Sequence, residues 1–171
     1  AAVMLSEAAL HESKTDFERA AAVCAAALDL DLAAPSPFWA CLKSHRAHYA
    51  ILCHDFATAE TDIKAIEQRT DHQKNLFEPL LALRARVCCE SGGAERGLAI
   101  LDAATAEDAG IGRTRYVILC VQLLLQLGRF DEAGIMLDQA QNEIATLSKP
   151  TVHSLRAMQA LAQGDFKATR A

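Results

Sequence analysis

The side chains best able to do chemistry in this chain are soft and imidazole donors: Cys41, His45 and His48, followed by Cys53 and His54. Spacings of four and three put the first three on one face of a helix, within reach of a single ion. Nitrogen and sulfur donors are the set that zinc prefers. Structural zinc sites, however, draw tight ligand pairs from two elements, and the chain has no Cys-x-x-Cys. A helix can also simply bury Cys41, so neither a metal nor another cofactor is expected. Cys88-Cys89 invites a redox reading, but a vicinal disulfide is strained and helical neighbours point in different directions. The six cysteines, Cys24, Cys41, Cys53, Cys88, Cys89 and Cys120, fall mostly inside apolar helical stretches. There a free thiol behaves as a small hydrophobe, which points to a reducing, cytoplasmic setting.

No enzyme is expected from this sequence. Gly-x-Ser-x-Gly, a phosphate-binding loop, a dinucleotide fingerprint and His-Glu-x-x-His are all missing. Gly92-Gly93 sits at a turn with no strand before it. Net charge is −5 with both signs interspersed, so no basic stripe is available to neutralise nucleic-acid phosphates. The longest apolar run, Val117 to Leu127, is broken by Gln122 and Gln126 and is too short to span a bilayer. No signal peptide is recognisable, although the chain opens on Ala1 rather than an initiator methionine.

What must position these side chains is an internal repeat. Four of the 6 phenylalanines, Phe17, Phe56, Phe130 and Phe166, lie three residues before Ala20, Ala59, Ala133 and Thr169. With Gly97 filling the empty slot, successive members of this series are 39, 38, 36 and 36 residues apart. Twelve residues earlier stands a second small-residue series: Ala8, Ala47, Ala85, Val121 and Ala157. Small residues on facing helices let two backbones approach closely, as an antiparallel helical hairpin requires. Four residues beyond the first series come Cys24, Ile63, Leu101 and Leu137, and seven beyond it Ala27, Ile66, Ala104 and Ala140. Offsets of zero, four and seven share one helical face, giving a continuous buried stripe.

The turns within the pairs fall at Lys14-Thr15-Asp16, His54-Asp55, Ser91-Gly92-Gly93, Leu127-Gly128-Arg129 and Gln163-Gly164-Asp165. Thr15 with Glu18 reads as a capping box. Between pairs, Ser36-Pro37, Thr70-Asp71, Gly110 with Gly112, and Ser148-Lys149-Pro150 punctuate the chain. Pro79 either follows just after a helix start, leaving 73–77 irregular, or kinks a longer helix. The expected helices lie near 2–13, 16–31, 38–53, 78–90, 94–106, 115–127, 130–147, 151–163 and 165–171, with no strands. Composition agrees: alanine and leucine dominate and aromatics make up only 5%. Neither end offers a polar capping helix, which an isolated stack requires. The chain is therefore expected to be a segment of a larger protein, or to have ends that are disordered or missing.

This small–small–apolar series resembles the tetratricopeptide (TPR) repeat family. It includes Leu127-Gly128-Arg129-Phe130-Asp131-Glu132-Ala133 and Ala162-Gln163-Gly164-Asp165-Phe166. The likeness covers nearly the whole chain as units near 1–35, 36–75, 76–112, 113–149 and 150–171. Two departures stand out: the spacing exceeds the usual period of about 34 residues, and the large aromatic early in the first helix is mostly missing. In period and texture the chain is similar to the helical superhelix of MalT-like bacterial transcription activators and related signalling ATPases. The resemblance implies an all-α, right-handed superhelix (an α-solenoid) of four to five hairpins, whose first helices line a concave groove.

Transferred to matching positions, that groove comprises Ser44 and His48; Ala82, Arg86 and Glu90; Arg115, Ile118, Gln122 and Gln126; and Ser154 and Met158. The lysines and asparagines of the family's carboxylate clamp are missing, so chaperone C-terminal tails are not the expected ligand. Arg86 and Arg115 are suited to gripping a carboxylate or other anion. The function expected is a non-catalytic scaffold for a protein or peptide partner, without direct contact to nucleic acid or membrane. The alternative is an effector-sensing segment of a MalT-like transcription regulator, binding a small molecule. The register makes a direct prediction: Ala133→Trp should overpack a helix interface and lower stability by roughly 1–3 kcal/mol in a denaturant melt. A neutral result would refute the register.

Overall fold

A computed structural model describes residues 2–30, 38–69, 76, 79–103, 113–143 and 149–164. Among them are nine helices and no strands. These are α1 (Ala2–Ser13), α2 (Phe17–Leu30), α3 (Trp39–Leu52), α4 (Phe56–Glu67), α5 (Leu80–Glu90), α6 (Ala94–Asp102), α7 (Arg113–Gln126), α8 (Phe130–Glu143) and α9 (Lys149–Ala162). The helix assignment from sequence omits α4, although the register of Ala59, Ile63 and Ile66 requires it. The expected helix over 165–171, the Ser36-Pro37, Thr70-Asp71 and Gly110/Gly112 boundaries, and the repeat residues Ala104, Phe166 and Thr169 lie outside the described residues. Pro79 turns out to stand immediately before α5, at φ −55° and ψ 139°, so it starts that helix rather than kinking it.

The tight turns recur with the spacing of the sequence repeat. Thr15, His54, Gly92, Gly128 and Gly164 all adopt left-handed φ, between 58° and 80°. Each closes a helix by reversing its last turn; at the fourth, Gly128 N–H donates to Leu125 O and Arg129 N–H to Leu124 O. The capping box read at Thr15 is not formed. A residue with φ 58° cannot hold the extended conformation of an N-cap. The next residue caps instead: Asp16 Oδ1 accepts from Arg19 N–H at 3.3 Å, as Asp55 Oδ1 does from Thr58 N–H at 3.1 Å.

The two small-residue series meet inside the helix pairs as expected. Ala8, Ala47, Ala85 and Val121 are fully buried on α1, α3, α5 and α7, and so are Ala20, Ala59 and Ala133 on α2, α4 and α8. Ala157 on α9 is only half-buried. Gly97 shows how tight the crossing is: a Cβ there would stand 2.7 Å from Leu123 Cδ2 and 3.1 Å from Cys88 Cβ. The apolar stripe continues through Cys24, Ile63, Leu101 and Leu137 and then Ala27, Ile66 and Ala140, all buried. Phe17, Phe56 and Phe130 pack at its edge, each partly exposed.

The principal contacts join helices one or two places apart in the chain. Consecutive helices pack together throughout, and α3–α5, α5–α7 and α7–α9 form a second set. Thus α3, α5, α7 and α9 lie side by side as one layer, termed the inner layer, while α4, α6 and α8 pack against it. Tyr49, fully buried on α3, carries one such junction by filling the cluster of Ala8, Ala20 and Cys24 from the preceding pair. No helix among the described residues is long and apolar enough to cross a membrane.

The left-handed positions yield a paired prediction. An L-residue with a Cβ pays on the order of 1–2 kcal/mol in this conformation, and a β-branched one most of all. Gly128→Thr should therefore lower stability by about 1–2 kcal/mol. Thr15→Gly should raise it by a fraction of that, because glycine loses more freedom on folding. Urea melts of the two variants check both signs.

Candidate functional site

Three of the inner-layer helices end together. The C-terminal turns of α5, α7 and α9 enclose a cleft of about 420 Å³ lined by Cys89, Glu90, Gln122, Leu125, Gln126, Met158 and Ala162. Glu90, Gln122, Gln126 and Met158 were expected at a groove, and the fold brings these four into one cleft. They share a geometric address: each stands two or six residues before the left-handed turn of its own hairpin. The cleft floor is Leu125, while Glu90 and Met158 are exposed at its edges. Gln126 Nε2 donates to Cys89 O at 2.8 Å, satisfying a carbonyl at the end of α5 that has no partner within its own helix.

The other expected groove residues are placed differently. Ser44 and Ala82 are fully buried, with no surface available to a ligand. They stand ten residues before the turn, where the inner helices press against one another. Ser44 Oγ donates to Cys41 O at 2.9 Å. Ile118 is half-buried, and Arg115 and Ser154 are exposed away from the cleft.

His48 and Arg86 meet across α3 and α5: an Arg86 Nη1–H donates to His48 Nδ1 at 2.8 Å. That places the imidazole proton on Nε2, which lies 3.8 Å from Glu12 Oε1. Glu12 Oε2 in turn accepts from the buried Tyr49 hydroxyl at 3.1 Å. A polar ladder therefore runs along the inner layer from α1 to α5, and Arg86 is a member of it.

The Cys41–His45–His48 face is locally satisfied. His45 Nδ1 donates to Cys41 O at 2.9 Å and lies 3.6 Å from Cys41 Sγ. Burial lowers the His45 pKa, which favours the neutral ring. Among the described residues, no three His, Cys, Asp or Glu side chains are arranged to hold a metal ion. The thiols are free, and burial pushes Cys24 up to about 12 and both Cys89 and Cys120 up to about 11. Cys88 and Cys89 do face different ways. Cys88 lines a cleft between α4, α5 and α6, and Cys89 the one between α5, α7 and α9.

One charged centre escaped the reading of the sequence. Asp62 on α4 is fully buried. Its Oδ1 accepts from Lys43 Nζ at 2.6 Å and Arg46 Nη2 at 2.7 Å, and its Oδ2 from Arg46 Nε at 2.6 Å. The bond to Asp62 raises the Arg46 pKa. Trp39 lies alongside, with Lys43 Nζ 5.7 Å and Arg69 Cζ 4.6 Å from its ring. The signal was present in the repeat. Eight residues after the left-handed turn, the other hairpins carry Val23, Ile100 and Met136. Those three are half-buried, and an acid that becomes fully buried in such an apolar column needs a partner.

Comparison with protein-family models, curated proteins and solved structures finds no match.

Removing the carboxylate leaves two partly buried cations unpaired, so Asp62→Ala should cost about 3–5 kcal/mol. Replacing all three as Lys43→Met, Arg46→Met and Asp62→Leu should recover most of that loss, since an apolar trio of similar volume needs no ion pairing. Thermal or urea unfolding of the single and triple variants checks both statements.

Proposed function

We propose that the chain is a TPR-type α-solenoid, a right-handed superhelix of four to five helical hairpins, acting as a non-catalytic scaffold for a protein or peptide partner. The observation that carries this reading is the cleft formed by the C-terminal ends of α5, α7 and α9. It takes equivalent positions from three successive hairpins, as a groove running along a stack of repeats does. Contacts confined to near neighbours along the chain support the stack. A mixed lining of one carboxylate, two amides and apolar side chains suits a peptide, whose backbone needs hydrogen-bond partners and whose side chains need cups. The proposed setting is cytoplasmic, supported by six free cysteines with thiols raised by burial or held in helices.

A second reading, an effector-sensing segment of a MalT-like transcription regulator, draws on a different cleft. Between α6, α7 and α8 lies a space of about 430 Å³ with Leu98, Cys120 and Leu124 at its base and Asp102, Arg129 and Glu132 around it. That volume is within the range for a small molecule.

A photocrosslinking residue in place of Gln122 tests the two together, with the same group in place of Ile135 as the comparison. The scaffold reading expects a protein captured in cells at position 122 and not at 135. A small molecule retained on the purified protein, and displaced by Leu124→Trp, would favour the sensor. Equal capture at both positions without such a molecule would end both readings.

A further inference from the structure

The cleft between α5, α7 and α9 has an electrostatic character that its separate residues do not announce. Its walls are the last turns of three helices that finish side by side: Cys89 and Glu90, Leu125 and Gln126, and Ala162. Each helix carries partial negative charge at its C-terminus, where the peptide dipoles point. Helices commonly answer this with a lysine, arginine or histidine in the last turn. None of these three has one. The charged residue they present instead is an acid, Glu90, exposed at the edge and carrying the same sign as the helix ends.

The nearby cations are not part of the cleft lining. Arg86 sits one turn further into α5 and directs a guanidinium N–H at His48. Arg156 on α9 pairs with Asp138 on α8, outside the cleft. Gln126 uses its amide nitrogen on the Cys89 carbonyl, which leaves its oxygen as the remaining acceptor. Opposite the acidic edge the lining is apolar, with Leu125 beneath and Met158 at the rim. A methionine at an exposed edge is a conformable contact for an apolar side chain.

Resting on the scaffold reading, we infer that this cleft selects a peptide segment in which a lysine or arginine stands next to an apolar side chain. The cation sits at Glu90 and the convergent helix ends, and the apolar neighbour on Leu125 and Met158. The carboxylate provides charge-assisted hydrogen bonding to the cation. The carbonyls of Cys88, Leu124, Leu125 and Leu161 already accept from the turns, and that of Cys89 from Gln126, so the helix ends contribute through their dipoles.

A displayed library of random dodecapeptides, selected against the purified full chain, tests this. Glu90→Lys and Met158→Asp variants serve as counter-screens, each first shown to melt with the parent by circular dichroism. The expected result is enrichment of lysine or arginine beside an aliphatic or aromatic residue. Glu90→Lys should weaken those peptides by about tenfold or more, and added salt should weaken them too. Acidic or uncharged consensus peptides, or peptides indifferent to Glu90→Lys, would overturn the inference. If such peptides still lose binding to Met158→Asp, the groove reading survives without it. No enrichment above an unrelated helical protein would remove both.

Discussion

The fold depends on how closely two helix backbones can approach at one point in each hairpin. The small residues of each hairpin, Ala8 with Ala20, Ala47 with Ala59, Ala85 with Gly97 and Val121 with Ala133, are all without exposed surface or nearly so. A short interhelical distance sets how deeply the flanking residues interdigitate, and so brings Ile63, Leu101 and Leu137 into the core. Gly97 marks the extreme. It lies under Leu123 of the following hairpin as well as against Cys88 of its own, so one missing Cβ serves contacts within a pair and between pairs. The left-handed residue five positions before each crossing fixes where the reversal occurs, and the two constraints together set the phase of every hairpin.

Alanine is prominent in the buried core, which limits how much apolar surface each hairpin hides. Polar links supplement it. The Asp62 centre ties α4 to α3 through two cations, and Arg84–Glu67 and Arg156–Asp138 tie α5 to α4 and α9 to α8. These links differ in kind. The outer pairs are partly solvated and contribute little, whereas Asp62 has no exposed surface and its loss leaves charge stranded. A buried ionic centre of this sort also fixes alignment: α4 cannot slide along α3 by a turn without separating the carboxylate from both partners.

The polar groups on this layer of helices change from one end to the other. They begin with the Glu12–His48–Arg86 ladder, where polar groups satisfy one another, and end at the cleft formed by α5, α7 and α9, where an acid and two amides border an apolar edge. The first stretch is internally paired. The second presents an acid and amides that its own side chains do not fully pair.

The sequence by itself determined the helical class, the place of each internal turn and the identity of the small residues at each crossing. These follow from spacing, and spacing is a property of the chain alone. It also marked Glu90, Gln122, Gln126 and Met158 as members of one row. It missed α4 as a helix because Thr58, Thr61 and Asp62 weaken its local propensity, while burial of Ile63 and Ile66 secures it. Only the tertiary structure decided that the position ten residues before each turn is sealed at Ser44 and Ala82, that His48 accepts from Arg86, and that Asp62 has two cations. Those outcomes depend on how neighbouring helices are offset, and the offset is set by side chains from two hairpins at once. A sequence repeat records what each hairpin shares; the packing between hairpins is governed by the residues in which they differ.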